Sequence, residues 1–204
     1  MNFAPETHTP LDAPGRVALG DRVHVYGSSC SGKSTLGAEL AERLDCPFVE
    51  LDAMNWLPGW VGLDKTDPEA FSARIRSATK GPRWIVAGSY TRHSQETFWP
   101  HLDTLIFLDL PRWQLIVRVI RRSWRRWRTR ELLWGTNYES FWTQLAIWRG
   151  EESLIWWIWT NFAKRRHQVA QVKADPRWSH IRVIHLQGAR EIEQFRRRIG
   201  LPPR

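Results

Sequence analysis

The segment Gly27–Ser34 constrains this chain more than any other, because it matches the phosphate-binding pattern G-x-x-x-x-G-K-S/T, called Walker A. An apolar run, Arg22–Tyr26, precedes it and predicts a short buried strand. A strand, a glycine-containing turn and a helix N-terminus together form a cradle of backbone N–H groups for phosphate oxygens. A Gly-Ser turn that only caps a helix would not explain Lys33. Leucines at a spacing of four predict that helix: Leu36, Leu40 and Leu44.

The side chains of this loop have separate expected roles in nucleotide binding. Gly27 and Gly32 allow the backbone to approach a phosphate closely. Lys33 is expected to reach the β- and γ-phosphates of ATP and to act in catalysis, and Ser34 is expected to hold Mg²⁺. The predicted nucleotide-binding residues of the loop are Gly27, Ser28, Ser29, Cys30, Ser31, Gly32, Lys33, Ser34 and Thr35.

The charge of the chain favours anionic partners. Its 204 residues include 30 basic and 21 acidic ones, for a formal net charge of +9. Such an excess favours phosphorylated ligands, nucleic acid or an anionic membrane surface. The length fits one domain with room for an insertion.

The two cysteines indicate a reducing, cytoplasmic compartment. Cys30 lies inside the phosphate loop, where a disulfide to Cys46 would hamper ligand binding, so both are expected to be free thiols. Residues 1–21 contain three prolines and no apolar core of a signal peptide, and a flexible N-terminal arm is expected there. The longest apolar run, Leu154–Trp159, is too short to span a bilayer.

Four further apolar runs alternate with helix patterns and predict a three-layer α/β fold with a parallel sheet covered on both faces. Helices are expected at 67–80, where Asp67 caps the start, and at 189–199. Ligands bind such sheets beyond the carboxyl ends of the strands. The predicted strands are Phe48–Leu51, Trp84–Ala87, Thr104–Leu108 and Ile181–His185, and polar residues follow three of them: Asp52, Ser89 and Asp109.

Residues 112–178 form a long basic and aromatic block, in a chain with 14 tryptophans. A second helix is expected from Glu151 to Val172. In the first part of the block, apolar residues recur at helical spacing: Trp113, Ile116, Val117, Ile120, Trp124 and Trp127. Packing in the core is therefore the default interpretation of the tryptophans. Arginines fall on another face of the same helix: Arg118, Arg121, Arg122 and Arg125.

The order of these motifs resembles the adenylate-kinase-like P-loop kinases, and among them it is similar to the bacterial DNA topology modulation proteins. The likeness covers nearly everything after residue 21. It is carried by the phosphate loop, Leu51-Asp52 with Trp56-Leu57-Pro58-Gly59-Trp60, Gly88-Ser89-Tyr90, Leu108-Asp109-Leu110-Pro111-Arg112, and the pair Arg118 and Arg122.

The resemblance implies a P-loop NTPase with a five-stranded sheet in the order 2-3-1-4-5, in a domain of residues 22–204. It implies that the helical block at 112–178 acts as a lid whose Arg118 and Arg122 contact the nucleotide and its phosphates. It also implies an adenine site near 187–190. Relatives often carry an acid where this chain has Ala87, so support for Mg²⁺ must come from Ser34 with waters, Asp52 or Asp109.

Two aspartates at strand ends have a functional and a structural interpretation each. Asp52 is expected to act as a base or orienter for the acceptor or to support Mg²⁺, or else to cap the strand end by bonding loop amides. Asp109 has the form of a Walker B acid, but Asp109-Leu110-Pro111 is also a typical helix start.

Aromatic and basic residues near these ends have open interpretations as well. Trp56 and Trp60 could stack on an acceptor or simply pack the loop onto the sheet. Tyr90 and Arg92 follow the third strand where an acceptor would lie, and Arg92 could pair with an anion or be solvated. Two histidines are expected to be structural, with His24 in the core or at an edge and His93 at the surface.

The arginines of the block allow three interpretations. They could form a lid over a triphosphate, a nucleic-acid surface together with the tryptophans, or a solvated helix face. Arg118 and Arg122 are assigned to the lid. A solvated face is expected for the others: Arg125, Arg126, Arg128 and Arg130.

Three functions from different classes follow from these features. The first is an ATP-dependent phosphotransferase that moves the γ-phosphoryl of Mg-ATP to a nucleoside monophosphate or another small acceptor. The second is a nucleotide-gated, nucleic-acid-binding ATPase with little kinase activity, which the net charge and the Arg/Trp block favour. The third and weaker one is a protein of anionic membrane surfaces, using Leu154–Trp159 and the basic run after it.

Overall fold

The apolar runs of the sequence form one parallel sheet with β1 at its centre. A computed structural model of the protein describes residues 19–146, 148, 150 and 153–202. In chain order the described strands are β1 Arg22–Gly27, β2 Phe48–Glu50, β3 Trp56–Leu57, β4 Val61–Gly62, β5 Trp84–Ala87, β6 Thr104–Asp109, β7 Leu132–Leu133, β8 Asn137–Tyr138 and β9 Arg182–Gln187.

Five of these strands make the main sheet in the order β2-β5-β1-β6-β9, all parallel. Counted along the chain, this is the predicted order 2-3-1-4-5. The two remaining pairs are short antiparallel hairpins, β3–β4 and β7–β8. The fold class predicted from the sequence is therefore confirmed, and both hairpins are additions to it.

The α-helices cover both faces of the sheet. Because successive strand residues point to opposite faces, Val23 and Val25 pack on one side of β1 and Tyr26 on the other. In chain order the described α-helices are α1 Lys33–Leu44, α2 Leu51–Asn55, α3 Leu63–Thr66, α4 Pro68–Ala78, α5 Thr91–Thr97, α6 Arg112–Thr129, α7 Phe141–Leu145, α8 Leu154–Ala174 and α9 Gly188–Arg198. Helices α1 and α9 line one face, and α4 and the end of α8 line the other.

The register of the sheet gathers the carboxyl ends of its strands at one edge. Gly27 at the end of β1 lies beside Leu108 of β6, and Asp109 lies beside Gln187 of β9. On the other side, Ala87 of β5 pairs with both Val25 and Glu50. The segments that leave this edge are the ones that the sequence motifs mark.

Residues between β6 and β9, here called the insertion (residues 112–178), have their own small core. Leu115 and Val119 of α6 pack there against Ile158 of α8. The two predicted helices are present, and the hairpin β7–β8 and helix α7 lie between them. In the part of the chain that is described, none of the helices combines the length and hydropathy that a membrane crossing requires.

Three local predictions are corrected by the structure. Asp52 does not end a strand; it lies in the first turn of α2. The segment Met54–Trp60, predicted as a loop, contributes the end of α2, strand β3 and a short 3-10 helix, Pro58–Trp60. His93, predicted at the surface, is buried, and its Nδ1 lies 2.9 Å from Ser72 Oγ, because α5 packs against α4.

The prediction that the insertion's tryptophans are core residues is wrong for most of them. Helical spacing fixes which side chains share a face but not whether another element covers that face, and here much of the face is exposed. The exposed tryptophans of the insertion are Trp113, Trp124, Trp127, Trp142, Trp148, Trp156 and Trp159.

Most of the predicted N-terminal arm, residues 1–21, lies outside the described residues. Leu19, within that predicted arm, is partly buried against the core. The Arg22 backbone N–H donates to Asp103 Oδ2 at 2.9 Å.

His24 on β1 is held as a neutral ring. Trp99 Nε1–H donates to its Nδ1 at 3.2 Å, so the proton is on Nε2, which donates to the Gly88 carbonyl at 3.1 Å. Burial lowers the pKa of His24 to about 3. As the pH falls, the histidine of the unfolded chain is therefore protonated at a higher pH than His24 in the folded protein. The stability that the neutral ring contributes is fully present above about pH 6.5 and is lost progressively toward pH 3.

We expect acidification from pH 7 to pH 4.5 to remove about 3 kcal/mol of the free energy of unfolding through His24 alone. Urea titrations should show this loss in the parent and a shallower pH dependence in His24→Gln, which cannot be protonated. His101→Gln, at an exposed histidine, is the control and should keep the parental slope. Equal slopes in all three proteins would contradict the assignment.

Candidate phosphate-binding site

The loop between β1 and α1 has the backbone shape of an anion cradle. Gly32 has φ +97°, and Cys30 has φ +60°, a left-handed backbone conformation that residues other than glycine rarely adopt. At Gly27 an added Cβ would lie 2.8 Å from the Leu108 carbonyl oxygen and 2.7 Å from Ser31 Oγ. Only glycine fits between β6 and the turn at that position.

Several donors of the cradle have no hydrogen-bond partner among the described residues. Gly32 precedes α1 and no side chain caps this helix, so the first N–H groups of α1 are open to a ligand. Ser31 Oγ is buried and has no hydrogen-bond partner. Among the described residues, no oxygen accepts a hydrogen bond from the Lys33 ammonium. Polar groups of this kind are costly when unpaired, and a polyphosphate would satisfy them.

Lys33 is buried among charges of both signs. Burial lowers its pKa, and the nearby guanidinium groups of Arg165 and Arg122 act in the same direction, whereas the carboxylate of Asp52 opposes them. The site therefore has more buried cations than anions around the lysine. An anion placed there would restore the balance of charge.

Arg165 of α8 joins the insertion to the sheet edge beside Lys33. Its Nη1 donates to the Ser89 carbonyl and to Tyr26 Oη, both at 2.8 Å. Its guanidinium lies 4.8 Å from the ring centre of Trp157 and 5.3 Å from that of Tyr26. Only 7% of Arg165 is exposed, and its Nε has no hydrogen-bond partner in the part of the chain that the structure describes.

The two arginines assigned to the lid lie over the phosphate loop. Arg118 Nη1 donates to the carbonyl of Ser31 at 3.2 Å. Arg122, one turn further along α6, lies close enough that its charge lowers the pKa values of both Lys33 and Cys30. Its Nε is buried, and none of the residues that the structure describes hydrogen-bonds to it. The net pKa of the Cys30 thiol is nevertheless raised, because burial dominates.

Glu139, which follows β8, holds helix α6 through a hydrogen bond and an ion pair. It is 6% exposed, accepts a hydrogen bond from Ser123 Oγ, and pairs through Oε2 with Arg126 Nη1 at 2.9 Å. Arg126, predicted on a solvated face, is therefore partly buried in an ion pair. The pair holds the hairpin β7–β8 against the helix that carries Arg118 and Arg122.

Asp52 and Tyr90 meet beside the phosphate loop. Tyr90 Oη donates to Asp52 Oδ1 at 2.8 Å. Burial raises the pKa of Tyr90, and the Asp52 charge and this hydrogen bond raise it further, so the phenol stays protonated. The hydrogen bond from Tyr90 orients the Asp52 side chain, which lies near Lys33.

Asp109 has a different environment from Asp52. Its Oδ2 lies 3.0 Å from His185 Nε2, and Arg166 Nε donates to its Oδ1 at 2.9 Å. Burial disfavours its ionisation, but the hydrogen bonds from His185 and Arg166 outweigh it and hold its pKa below the usual range. The structure gives this carboxylate a role in tying β9 and α8 to the end of β6.

The residues near the loop fit a magnesium ion that is bound together with a nucleotide. They fit less well a magnesium ion that the protein alone would hold. No group of three or more His, Cys, Asp or Glu side chains that could hold a metal occurs among the described residues. Mg²⁺ typically keeps several waters and takes one or two protein oxygens plus phosphate oxygens. Ser34 Oγ and the Asp52 carboxylate are the protein oxygens that would serve it, whereas Asp109 is engaged by Arg166 and His185.

A polar cavity of about 240 Å³ opens beside the loop, between the start of α5 and helix α8. Ser89, which lines it, donates from Oγ to the Gly27 carbonyl at 2.5 Å and so connects the cavity with the loop. Three cationic side chains line the cavity: Arg92, Lys164 and Arg165. Arg92 also pairs with Glu96, with Nε 2.9 Å from Oε1.

The hairpins β3–β4 and β7–β8 touch each other, and we call this the hairpin contact. Trp60 packs edge-to-face between Trp56 and Trp134, at ring distances of 5.6 Å and 6.0 Å. Asn137 Oδ1 accepts from the Trp60 backbone N–H at 2.9 Å, and its Nδ2 donates to the Leu57 carbonyl at 3.0 Å. Trp60 therefore packs against the insertion through Trp134, and Trp56 packs against Trp60.

The structure brings most of the predicted site residues to one edge of the sheet: the loop, Asp52, Tyr90, Arg118 and Arg122. Sequence reasoning missed Arg165 and Asn137. For Arg165 a signal existed, because it lies seven residues after Ile158 and so continues the buried line of α8. For Asn137, a lone polar residue between short hairpin strands, the sequence carries no such signal.

Comparison with known proteins gives a distant likeness. No family model matches the chain. It is similar to YqaC, an uncharacterised protein of Bacillus subtilis (strain 168), with 28% identity over 117 residues, 57% of this chain and 65% of YqaC. The match thus spans slightly less than two thirds of that relative.

Two solved kinases show a similar course of the chain. A gluconokinase from Sinorhizobium meliloti 1021 has a TM-score of 0.49 and 20% identity, covering 89% of this chain and 90% of its own. A shikimate kinase from Acinetobacter baumannii, solved with shikimate, has a TM-score of 0.43 and 14% identity, covering 87% and 90%. At these scores the likeness carries no argument of its own. The strand order and the phosphate loop define a P-loop kinase-like fold.

We expect Asn137→Ala to weaken the hairpin contact. The Trp60 N–H and the Leu57 carbonyl would lose their partners, so the free energy of unfolding should fall by about 1–3 kcal/mol. Limited proteolysis should cut the insertion faster than in the parent. Tyr138→Ala, at an exposed neighbouring side chain, is the control and should leave both measurements unchanged. Parental protease resistance in Asn137→Ala would contradict the role of this contact.

Proposed function

We propose that this protein is an ATP-dependent phosphotransferase of the adenylate-kinase-like P-loop type. One observation carries the proposal: buried, unpaired donors and cations converge on the uncapped N-terminus of α1. Ser31 Oγ and the Nε groups of Arg122 and Arg165 are buried without a hydrogen-bond partner among the described residues, and Lys33 is buried beside them. The proposal also includes a cytoplasmic location and a similarity to the DNA topology modulation proteins in the order of the motifs.

In the proposed complex, Mg-ATP lies with its phosphates in the loop of residues 27–35 and its adenine near 187–190. The insertion serves as a lid, because α6 brings Arg118 and Arg122 over the loop. The ion supplies charge neutralisation on the phosphates and would be held through Ser34, with Asp52 acting through water. Lys33, Arg118 and Arg122 would balance the charge that spreads over the migrating phosphoryl group.

The transfer itself needs little covalent chemistry from the protein. An acceptor oxygen forms a bond to the γ-phosphorus while the bond to the bridging oxygen of ADP breaks, and ADP leaves. Where the acceptor is a hydroxyl, its proton passes to the Asp52 carboxylate, which Tyr90 holds in place at 2.8 Å. Where the acceptor is already an ionised phosphate, Asp52 only orients it.

The polar cavity supports an acceptor that carries an anionic group. Its cationic residues, Arg92, Lys164 and Arg165, line a space next to Ser89 and the loop. A phosphate or carboxylate there would neutralise them, and guanidinium groups bind such groups through paired hydrogen bonds. Nucleoside monophosphates and small phosphorylated metabolites fit this description.

Lys33→Ala should abolish saturable binding of Mg-ATP in isothermal titration. Since the lysine is buried and unpaired, its removal should leave the free energy of unfolding equal to or above the parental value. Lys80→Ala, at an exposed lysine, is the control and should bind as the parent does. Parental Mg-ATP binding by Lys33→Ala would refute the site.

Arg92→Gln should raise KM for an anionic acceptor by about tenfold or more, because a charge-assisted hydrogen bond is lost, with KM for ATP unchanged. The measurement is ADP release with a panel of nucleoside monophosphates and phosphorylated metabolites. Arg74→Gln, on the exposed side of α4, is the matched control. Release stimulated only by DNA would instead support the nucleic-acid-binding ATPase.

A further inference from the structure

Helix α6 presents an apolar stripe to solvent. Five large side chains follow one another along it at alternating spacings of four and three, which places them on one face. The exposed fractions are 65% for Trp113, 38% for Val117, 37% for Ile120, 45% for Trp124 and 41% for Trp127. The stripe spans 14 residue steps, or about 21 Å of helix. We call these five residues the α6 stripe.

The α6 stripe is separate from the core of the insertion. Helix α6 buries a different face, with Leu115, Val119 and Ser123. At the far end the stripe continues onto α7, where Trp142 is 63% exposed and its ring lies 6.4 Å from that of Trp127. Contiguous exposed apolar surface of this kind marks an interaction site.

The flank of the stripe is basic. Helix α6 contains seven arginines and no acidic residue. Arg121 and Arg128 are exposed beside the stripe, and within the described chain no carboxylate pairs with either of them. Arg118 and Arg122 lie further round, toward the phosphate loop, so the stripe and the site occupy different faces of one helix.

This charge pattern disfavours a second copy of the chain as the occupant. Two α6 stripes packed together would bring the arginines of both helices side by side. Helix pairing of this kind usually places opposite charges across the flanks, and α6 has no acidic residue to supply them. The charge complementarity is with an anionic surface.

The side chains of the stripe favour lipid over nucleic acid. Val117 and Ile120 offer neither a stacking plane nor a hydrogen bond to a base. The rings of Trp124 and Trp127 pack on each other at 5.3 Å and on Phe141, which leaves less free ring face for stacking. Indole and aliphatic groups together with flanking arginines are the composition of helices that lie in a membrane interface.

We propose that the α6 stripe lies in the headgroup region of an anionic lipid membrane, with Arg121 and Arg128 contacting lipid phosphates. Helix α6 would then lie parallel to the membrane surface, and the phosphate loop would lie on the side of the helix away from the lipid. The membrane would contact the same helix that carries Arg118 and Arg122. This inference is independent of the proposed enzyme activity.

The test is co-sedimentation of the full chain with phosphatidylcholine vesicles that do or do not contain phosphatidylglycerol. Binding is expected only with phosphatidylglycerol, and it should weaken as salt is raised. The double variant Trp113→Ser, Trp124→Ser should lower the partition coefficient about tenfold or more. Arg121→Gln with Arg128→Gln should lower it about thirtyfold.

The control is Lys80→Gln with Lys173→Gln, which removes the same charge from two exposed positions outside α6 and should change binding less than about threefold. Circular dichroism checks that every variant is folded. Three results would overturn the proposal: no binding to phosphatidylglycerol vesicles, parental binding by the tryptophan variant, or equal losses in both arginine and lysine variants.

Two further outcomes would identify another occupant and equally refute the proposal. If single-stranded DNA binds in a Trp113- and Trp124-dependent way while vesicles do not, the stripe is a nucleic-acid surface. If size-exclusion chromatography shows a dimer that the tryptophan variant dissociates, and vesicles do not bind, a second copy covers the stripe.

Discussion

The surplus of buried positive charge at the carboxyl edge of the sheet is the constraint on which this structure depends. Lys33, Arg122 and Arg165 approach one another there, and the carboxylates that face them, Asp52 and Glu139, are fewer. Like charges in a medium of low dielectric repel strongly unless an anion lies among them. Arg165 meets this cost with two hydrogen bonds and two aromatic faces, whereas Lys33 has neither. An anion bound among these cations would therefore stabilise the arrangement.

Much of the fold could be predicted from the sequence, because its signals are local and strong. Continuous apolar runs predicted the parallel strands, and the Walker A pattern predicted the turn between β1 and α1. The errors fall where an element is too short to carry a period. Helix α2 has five residues and each hairpin strand has two, so neither a helical nor a strand repeat could develop.

The candidate site could be predicted only in part from the sequence, because some of its residues belong to no local motif. Loop motifs identify residues by type and spacing, but residues that join separate segments are identified by packing. Arg165 and Arg166 are neighbours in one basic run, yet the first is buried against Tyr26 and the second reaches Asp109. Exposure of the tryptophans in α6 was equally beyond the sequence, since spacing defines a face without defining its neighbour.

The hairpin contact has an energetic consequence for the two turns that form it. Both turns that meet there place a tryptophan in left-handed backbone next to a glycine: Gly59 and Trp60 have φ +74° and +60°, and Trp134 and Gly135 have φ +48° and +74°. For the two tryptophans this conformation costs about 1–3 kcal/mol each, whereas the glycines adopt it readily. The three hydrogen bonds of the contact stabilise it by about 0.5–1.5 kcal/mol each. The hydrogen bonds, together with the edge-to-face contacts of Trp60 with Trp56 and Trp134, therefore offset the strain of the two tryptophans and hold both turns in their left-handed conformation.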